Sequence, residues 1–175
     1  MKKLLVVLLV LFVSFLGDCL ADEYYSYVSI DGRMDLSDDH KTNVRISQSN
    51  VSINEKERII LYNDFGMQFK TCKSKKWFCI YSDKLNFAIE KNWQPTKSKK
   101  WSESNFEFIL LKEIEDSYGE KIFIIKVTAA PISKTDPSIV FYSKSKGVVG
   151  FVFYYIKQNV SKTYWLMDPK GFGSP

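Results

Sequence analysis

A single histidine, His40, limits the catalysis open to this chain. A Ser-His-Asp triad would have to use it, yet it sits in a polar stretch with Asp35, Asp38 and Asp39 and has no Gly-x-Ser-x-Gly context nearby. Those carboxylates lack the oxygen spacing and closing glutamate of a calcium loop. Zinc sites draw on several His or Cys ligands, and no glycine-rich phosphate cradle follows a strand and opens a helix. No metal and no other cofactor is expected. The device left for an enzyme is a carboxylate pair: Glu107, Glu113, Glu115 and Asp116 cluster in sequence, and glycoside hydrolysis needs two such groups. A small hydrolase is therefore one alternative reading. The main expectation is a protein without chemistry of its own.

The cysteines point to a compartment. Lys2 and Lys3 precede an apolar run from Leu4 to Leu16, broken at Ser14, and Gly17-Asp18-Cys19-Leu20-Ala21 follows. This is the layout of a secretory signal peptide, and the run is too short for a hydrocarbon core about 30 Å thick. Cys19 and Ala21 form a small-x-small cleavage site, so residues 1–21 are expected to be removed and the exported chain to begin at Asp22, with no stable membrane insertion afterwards. Asp18 is not the small residue that a lipoprotein signal carries before its cysteine. With Cys19 gone, Cys72 and Cys79 remain, and an oxidising destination, periplasmic or secreted, favours a bond between them.

That pair frames Met67 to Tyr81, MQFKTCKSKKWFCIY. Two runs with apolar and aromatic residues flank the basic tip Lys73-Ser74-Lys75-Lys76, which predicts a β-hairpin. If Lys73 pairs with Phe78, Cys72 faces Cys79 at a separation a disulfide tolerates. The short loop limits the entropic gain, so the bridge's main task would be fixing register. Lys70, Lys73, Lys75 and Lys76 surround Trp77. A second such segment, Lys91 to Ser104, carries Trp93, Lys97, Lys99, Lys100 and Trp101 and is expected to be an exposed loop. Lys97 to Trp101 repeats Lys73 to Trp77 identically, while the flanks do not repeat.

The elements around these segments read as short strands. Tyr24 to Ile30 and Arg33 to Leu36 flank Asp31-Gly32, a type I′ hairpin signal. Val44 to Ile46 and Val51 to Ile53 flank a Gln48-Ser49-Asn50 turn. Further strands are expected at Ile59 to Tyr62, Asn86 to Glu90, Phe106 to Lys112, Lys121 to Ala129, Ile139 to Tyr142, Val148 to Ile156 and Thr163 to Met167. Lys121 to Ala129 is apolar on nearly both faces, as an interior strand is. Gly150 suggests a bulge in Val148 to Ile156. At most one or two short helical turns are predicted, at Glu113 to Gly119 and Asp83 to Ala88. Crossover helices of an α/β fold are absent. Residues 22–175 thus read as one all-β domain, an antiparallel sandwich or open barrel of roughly eight to eleven strands.

The precursor carries net charge +5, and removing Lys2, Lys3 and Asp18 leaves 23 basic and 19 acidic residues. A mildly basic, aromatic-rich surface suits an acidic protein or an anionic glycan. Lysines beside stacking aromatics also bind single strands, but export makes nucleic acid an unexpected partner. The predicted binding residues are Lys73, Lys75, Lys76, Trp77, Trp93, Lys97, Lys99, Lys100 and Trp101. An inhibitor or immunity-like protein, which needs no catalytic residues, fits this pattern. The length, signal, single domain and strand count also resemble those of lipocalins, which would imply a carrier of a small apolar ligand. The Gly-x-Trp that lipocalins carry near the first strand is missing from Tyr24 to Ile30. Asn50-Val51-Ser52 and Asn159-Val160-Ser161 match the glycan acceptor pattern, relevant only in a eukaryotic host.

Overall fold

The computed structural model describes residues 24–36, 42–129, 138–155 and 160–175. The segment 1–21, expected from sequence to be a signal peptide, lies outside them, as do His40 and Asn159. The described residues contain twelve strands and no helix. In chain order these are β1 (Tyr24–Leu36), β2 (Thr42–Asn54), β3 (Ile59–Tyr62), β4 (Phe65–Gln68), β5 (Trp77–Tyr81) and β6 (Asn86–Glu90). β7 (Lys100–Glu103), β8 (Phe106–Glu115), β9 (Lys121–Ala129), β10 (Ser138–Ser143), β11 (Gly147–Tyr155) and β12 (Val160–Leu166) follow. No described helix is long and apolar enough to cross a membrane.

Ten strands form one antiparallel sheet in the order β4-β3-β2-β1-β12-β11-β10-β9-β8-β7, and β5 with β6 forms a second. The large sheet is two local meanders, β1–β4 and β7–β12, joined where the first strand meets the last. It does not close on itself. The two-stranded sheet instead lies between its edges. Just past β4, Lys70 exchanges backbone hydrogen bonds with Tyr81 of β5 at 2.8 and 2.9 Å. On the other side, Trp101 of β7 donates its indole N–H to the Ala88 carbonyl of β6 at 2.9 Å. Asn86, Phe87, Ala88 and Ile89 of β6 are all buried. Phe87 meets Phe108 of β8 edge-on and Tyr142 of β10 at 5.7 Å. The result is one core between the large sheet and β5–β6, an open-barrel or sandwich arrangement.

Several local expectations change. β1 runs through Asp31-Gly32 without turning, and pairs with β2 without a break from Tyr24↔Asn54 to Leu36↔Thr42. Val28, Ile30, Met34 and Leu36 keep one parity across Asp31-Gly32, and that unbroken period of two outweighs a local turn preference. Gln48-Ser49-Asn50 likewise sits inside β2. Met67 to Tyr81 is not a full hairpin: β4 pairs with β3 and β5 pairs with β6, leaving the Lys70↔Tyr81 bridge between the two runs. The exposed loop predicted from Lys91 to Ser104 ends early, because Lys100–Glu103 forms β7. Glu113–Gly119 and Asp83–Ala88 contain strand and turn rather than helix.

Gly150 does mark an irregularity. The β10–β11 register passes from Phe141↔Gly150 to Tyr142↔Val148, so Val149 is the extra residue of a bulge. The bulge changes the parity of the strand, and Val148 joins Phe151 and Phe153 in the core instead of sharing a face with Val152 and Tyr154. On the opposite face Gly150 leaves room for Trp165, whose ring stacks on Phe141 at 4.7 Å. A Cβ on Gly150 would meet that ring at 2.8 Å.

Among the described residues the seam between the meanders has two paired positions, Tyr27↔Leu166 and Val28↔Trp165. Other bonds reinforce it. The Ser26 N–H donates to Asp168 at 2.5 Å, and the Met167 N–H to the Ser26 carbonyl at 2.9 Å. The buried Tyr27 hydroxyl donates to the Val148 carbonyl at 3.0 Å and accepts from the Phe172 N–H at 3.2 Å. The Phe172 carbonyl in turn accepts from the Val148 N–H at 2.8 Å. The tail, residues 168–175, is thus tucked against the β10–β11 turn. Gly147, at φ 76°, leaves room there for the tail backbone, since a Cβ would meet the Phe172 oxygen at 2.5 Å.

Burial raises the Tyr27 pKa, and burial with the hydrogen bond to Glu103 raises that of Tyr81. A raised folded value means that the stability tied to each neutral phenol is intact below the unfolded value of about 10 and is lost as pH climbs through the folded one. Stability is therefore expected to fall above about pH 10. Tyr27→Phe should cost about 1–3 kcal/mol at neutral pH by stranding its buried partners, and should flatten the alkaline loss without abolishing it, since Tyr81 remains. Denaturant unfolding of both proteins at neutral and alkaline pH checks this; equal stability at neutral pH would contradict it.

Candidate functional site

The candidate site gathers at one end of the β5–β6 sheet. β5 begins at Trp77, directly after the basic tip, and β6 ends at Glu90, directly before the second basic segment. Because the strands are antiparallel, with Trp77 opposite Glu90, both segments emerge at the same end. A backbone bond joins them there: the Lys91 N–H donates to the Lys76 carbonyl at 2.9 Å.

The tip is pinned from its other shoulder. Cys72 and Cys79 are bonded, with Cα atoms 5.4 Å apart. The Lys70↔Tyr81 bridge has the register predicted for a Cys72/Cys79 pair, although Cys79 faces Ala88 in the ladder. Beside the bridge, Tyr81 donates to the carboxylate of Glu103, which also accepts from Ser104 at 2.8 Å. The two sulfurs and Glu103 would make a thiolate–carboxylate metal set only if the bridge were opened. As a disulfide they form a staple.

Lys73, Lys75, Lys76, Lys97, Lys99 and Lys100 are all exposed. Lys100 pairs with Glu107 at 2.8 Å. The tryptophans are placed differently from the expectation of exposed loops. Trp93 is 6% exposed, packs edge-on against Phe123 at 5.2 Å, and donates to the Ser98 carbonyl at 3.1 Å. Trp101 is half-buried, stacked on Phe108 at 5.6 Å and set against Trp93 at 5.3 Å. Trp77 is also half-buried against the core. Each copy of the Lys-Ser-Lys-Lys-Trp repeat therefore does one local job: a basic loop ends where a tryptophan opens or enters a strand and anchors it. The apolar area these rings bury, not solvent exposure, decides their position.

Sequence reasoning missed a cleft of about 510 Å³ at this same end. Its walls come from Glu90 and Lys91 at the end of β6, from Asn92, Trp93 and Gln94 after it, and from Phe78 of β5. Tyr142, Lys144 and Pro175 complete the lining. Lys91 holds its ammonium 4.9 Å above the Phe78 ring, a cation–π contact. Burial pushes the Tyr142 phenol up, so it stays protonated and able to donate at neutral pH. No pattern in the sequence joined Lys144 to Lys91, since only the tertiary fold brings the β10–β11 turn beside the β6 end.

The carboxylates of the hydrolase reading stand on β8 and the turn after it. Glu107 and Glu113 are six residues apart on one strand, about 20 Å, well beyond the spacing of a glycosidase pair. Glu113 pairs with Lys121 at 2.7 Å. Asp116 accepts the backbone N–H groups of Tyr118 and Glu120, and those bonds hold its carboxyl below the usual range. Phe151 and Phe153 are buried in the core and do not line the cleft. No protein-family model, curated protein or solved structure matches the chain.

Reducing the Cys72–Cys79 bridge is expected to raise the intact mass by about two hydrogens and lower stability by about 2 kcal/mol. Mass spectrometry with and without reductant, followed by denaturant unfolding, measures both. An unchanged mass would show that the staple is not formed.

Proposed function

We propose that this is an exported binding protein, of inhibitor or immunity type, that recognises an acidic macromolecule through the basic end of β5–β6 and performs no chemistry of its own. The observation that supports the reading is the Lys76–Lys91 backbone bond, which holds two lysine-rich segments side by side at one end of β5–β6. A stapled tip loses less entropy on binding than a free loop. The lysines would steer an acidic partner and speed its association. The half-buried Trp77 would contribute the edge it leaves exposed, since tryptophan is enriched at binding hot spots. The partner is an acidic protein or an anionic glycan. Export to the periplasm or beyond argues against nucleic acid, and no cofactor is needed.

A pull-down from the exported fraction with tagged protein tests this, run beside a variant with Lys73→Glu, Lys75→Glu and Lys76→Glu. One acidic partner, captured by the parent and lost from a variant that still unfolds cooperatively at the same temperature, is the expected result. Full retention in the variant removes the tip from the site. Turnover of a glycan or peptide, abolished by Glu113→Gln or Glu115→Gln, would make the protein an enzyme and overturn the proposal.

A further inference from the structure

The cleft beside the lysines has a chemistry of its own, and it narrows the class of partner. Its inventory is mixed. Lys91 and Lys144 supply ammonium groups, and neither has a carboxylate within ion-pair distance among the described residues. Glu90 supplies one carboxylate, and Asn92 and Gln94 supply amides that both donate and accept.

Tyr142 is the most telling member. Its side chain is 5% exposed, so it belongs to the core by area. Its hydroxyl has no hydrogen-bond partner among the described residues. Yet no fully buried side-chain polar atom there lacks a partner. The hydroxyl is therefore not sealed in; it opens into the cleft that Tyr142 lines. A phenol held in a core with its one polar atom aimed into an open cavity is a donor waiting for an acceptor. The Tyr142 ring packs at a tilt against Phe87, with centroids 5.7 Å apart.

These groups discriminate between ligands. A purely acidic peptide would satisfy the two lysines but would meet Glu90 with like charge, leaving that carboxylate and the amides poorly matched. A sugar ring bearing a carboxylate or sulfate satisfies both demands: its anionic group meets Lys91 and Lys144, and its hydroxyls donate to Glu90 while accepting from Tyr142 and the amides. Its C–H face can pack on Phe78. A volume of about 510 Å³ accommodates one or two such rings.

We infer that this cleft is a subsite for an acidic sugar unit of an anionic glycan, with Lys91 and Lys144 holding the anionic group and the Tyr142 hydroxyl donating to the ring. The inference rests on the binding function proposed above and assigns a saccharide to the same end of the molecule. The lysine tip would then contact neighbouring units of the chain.

Calorimetric titration of the exported protein tests it, with an oligogalacturonate and a sulfated disaccharide as acidic probes, a neutral oligosaccharide of matching length, and a poly-glutamate peptide. At least one acidic saccharide should bind with a Kd below about 1 mM, and the neutral one should not. Lys144→Gln should weaken that binding by about tenfold, equivalent to about 1.4 kcal/mol. Tyr142→Phe, which keeps the ring and removes only the unpartnered oxygen, should weaken it several-fold without lowering the melting temperature. Absence of binding by both acidic saccharides, or binding untouched by Lys144→Gln and Tyr142→Phe, overturns the cleft assignment. Preference for poly-glutamate does so as well, in favour of a protein partner. The tip variant separates the two claims: a captured partner that depends on Lys73, Lys75 and Lys76 but not on Lys144 or Tyr142 leaves the binding function standing and removes the saccharide subsite.

Discussion

The buried hydroxyl of Tyr27 joins the parts of this molecule that are most distant in sequence. Two meanders of neighbouring strands build most of the large sheet, and such local pairings form at modest loop-closure cost. Their union is the costly step, since it brings β1 to β12 with two paired positions among the described residues. Tyr27 ties β1 to the start of β11 and to the tail at Phe172 in one pair of hydrogen bonds. Phe172, itself buried, sits edge-on to Tyr25 and Phe69. Those three rings link the first strand, the tail and the segment that leads from β4 to the disulfide.

The same tail shapes the cleft. Gly173 takes φ 74°, and a Cβ there would come within 3.4 Å of Phe78. Phe78 is the residue over which Lys91 lies. Lys146, in the β10–β11 turn, accepts from the Gly171 N–H at 2.6 Å, which fixes the turn that carries Lys144. The cleft is thus walled by elements from separate parts of the chain, held in place by backbone bonds. The lysine tip, by contrast, depends on the disulfide and on the bond from Lys91. Walls held by backbone bonds beside a stapled, exposed tip are compatible with the proposed binding role, in which shape acts at the centre and charge at the rim.

The fold class was legible because strand periodicity and turn residues are local. Phe123, Ile125 and Val127 alternate in sequence and are buried together in β9. The cysteine pairing was legible from count and spacing. Asp31-Gly32 misled because a two-residue turn signal says nothing about the partner strand, and a long unbroken ladder can carry glycine in its middle. At Val148 the bulge shifts parity by one, which no alternation pattern records. The exposure of Lys73, Lys75, Lys76, Lys97, Lys99 and Lys100 could be read from sequence because a charged side chain seeks solvent whatever surrounds it. Trp93 and Trp101 could not be placed, since a tryptophan beside lysines reads alike whether its ring faces solvent or fills a core. Tyr142 was out of reach altogether: its interest lies in a hydroxyl without a partner, a property that exists only once the fold surrounds it.

The central claim is that the end of β5–β6, with its cleft, is the recognition surface. Amide chemical-shift mapping of the isotopically labelled protein, during titration with the captured partner, tests it most directly. The account predicts perturbations concentrated at residues 73–77, 90–100 and 142–146, with the row formed by Val28, Trp165 and Phe141 on the opposite face unmoved. Perturbations centred on that opposite row, with the lysine tip and Tyr142 silent, would contradict it.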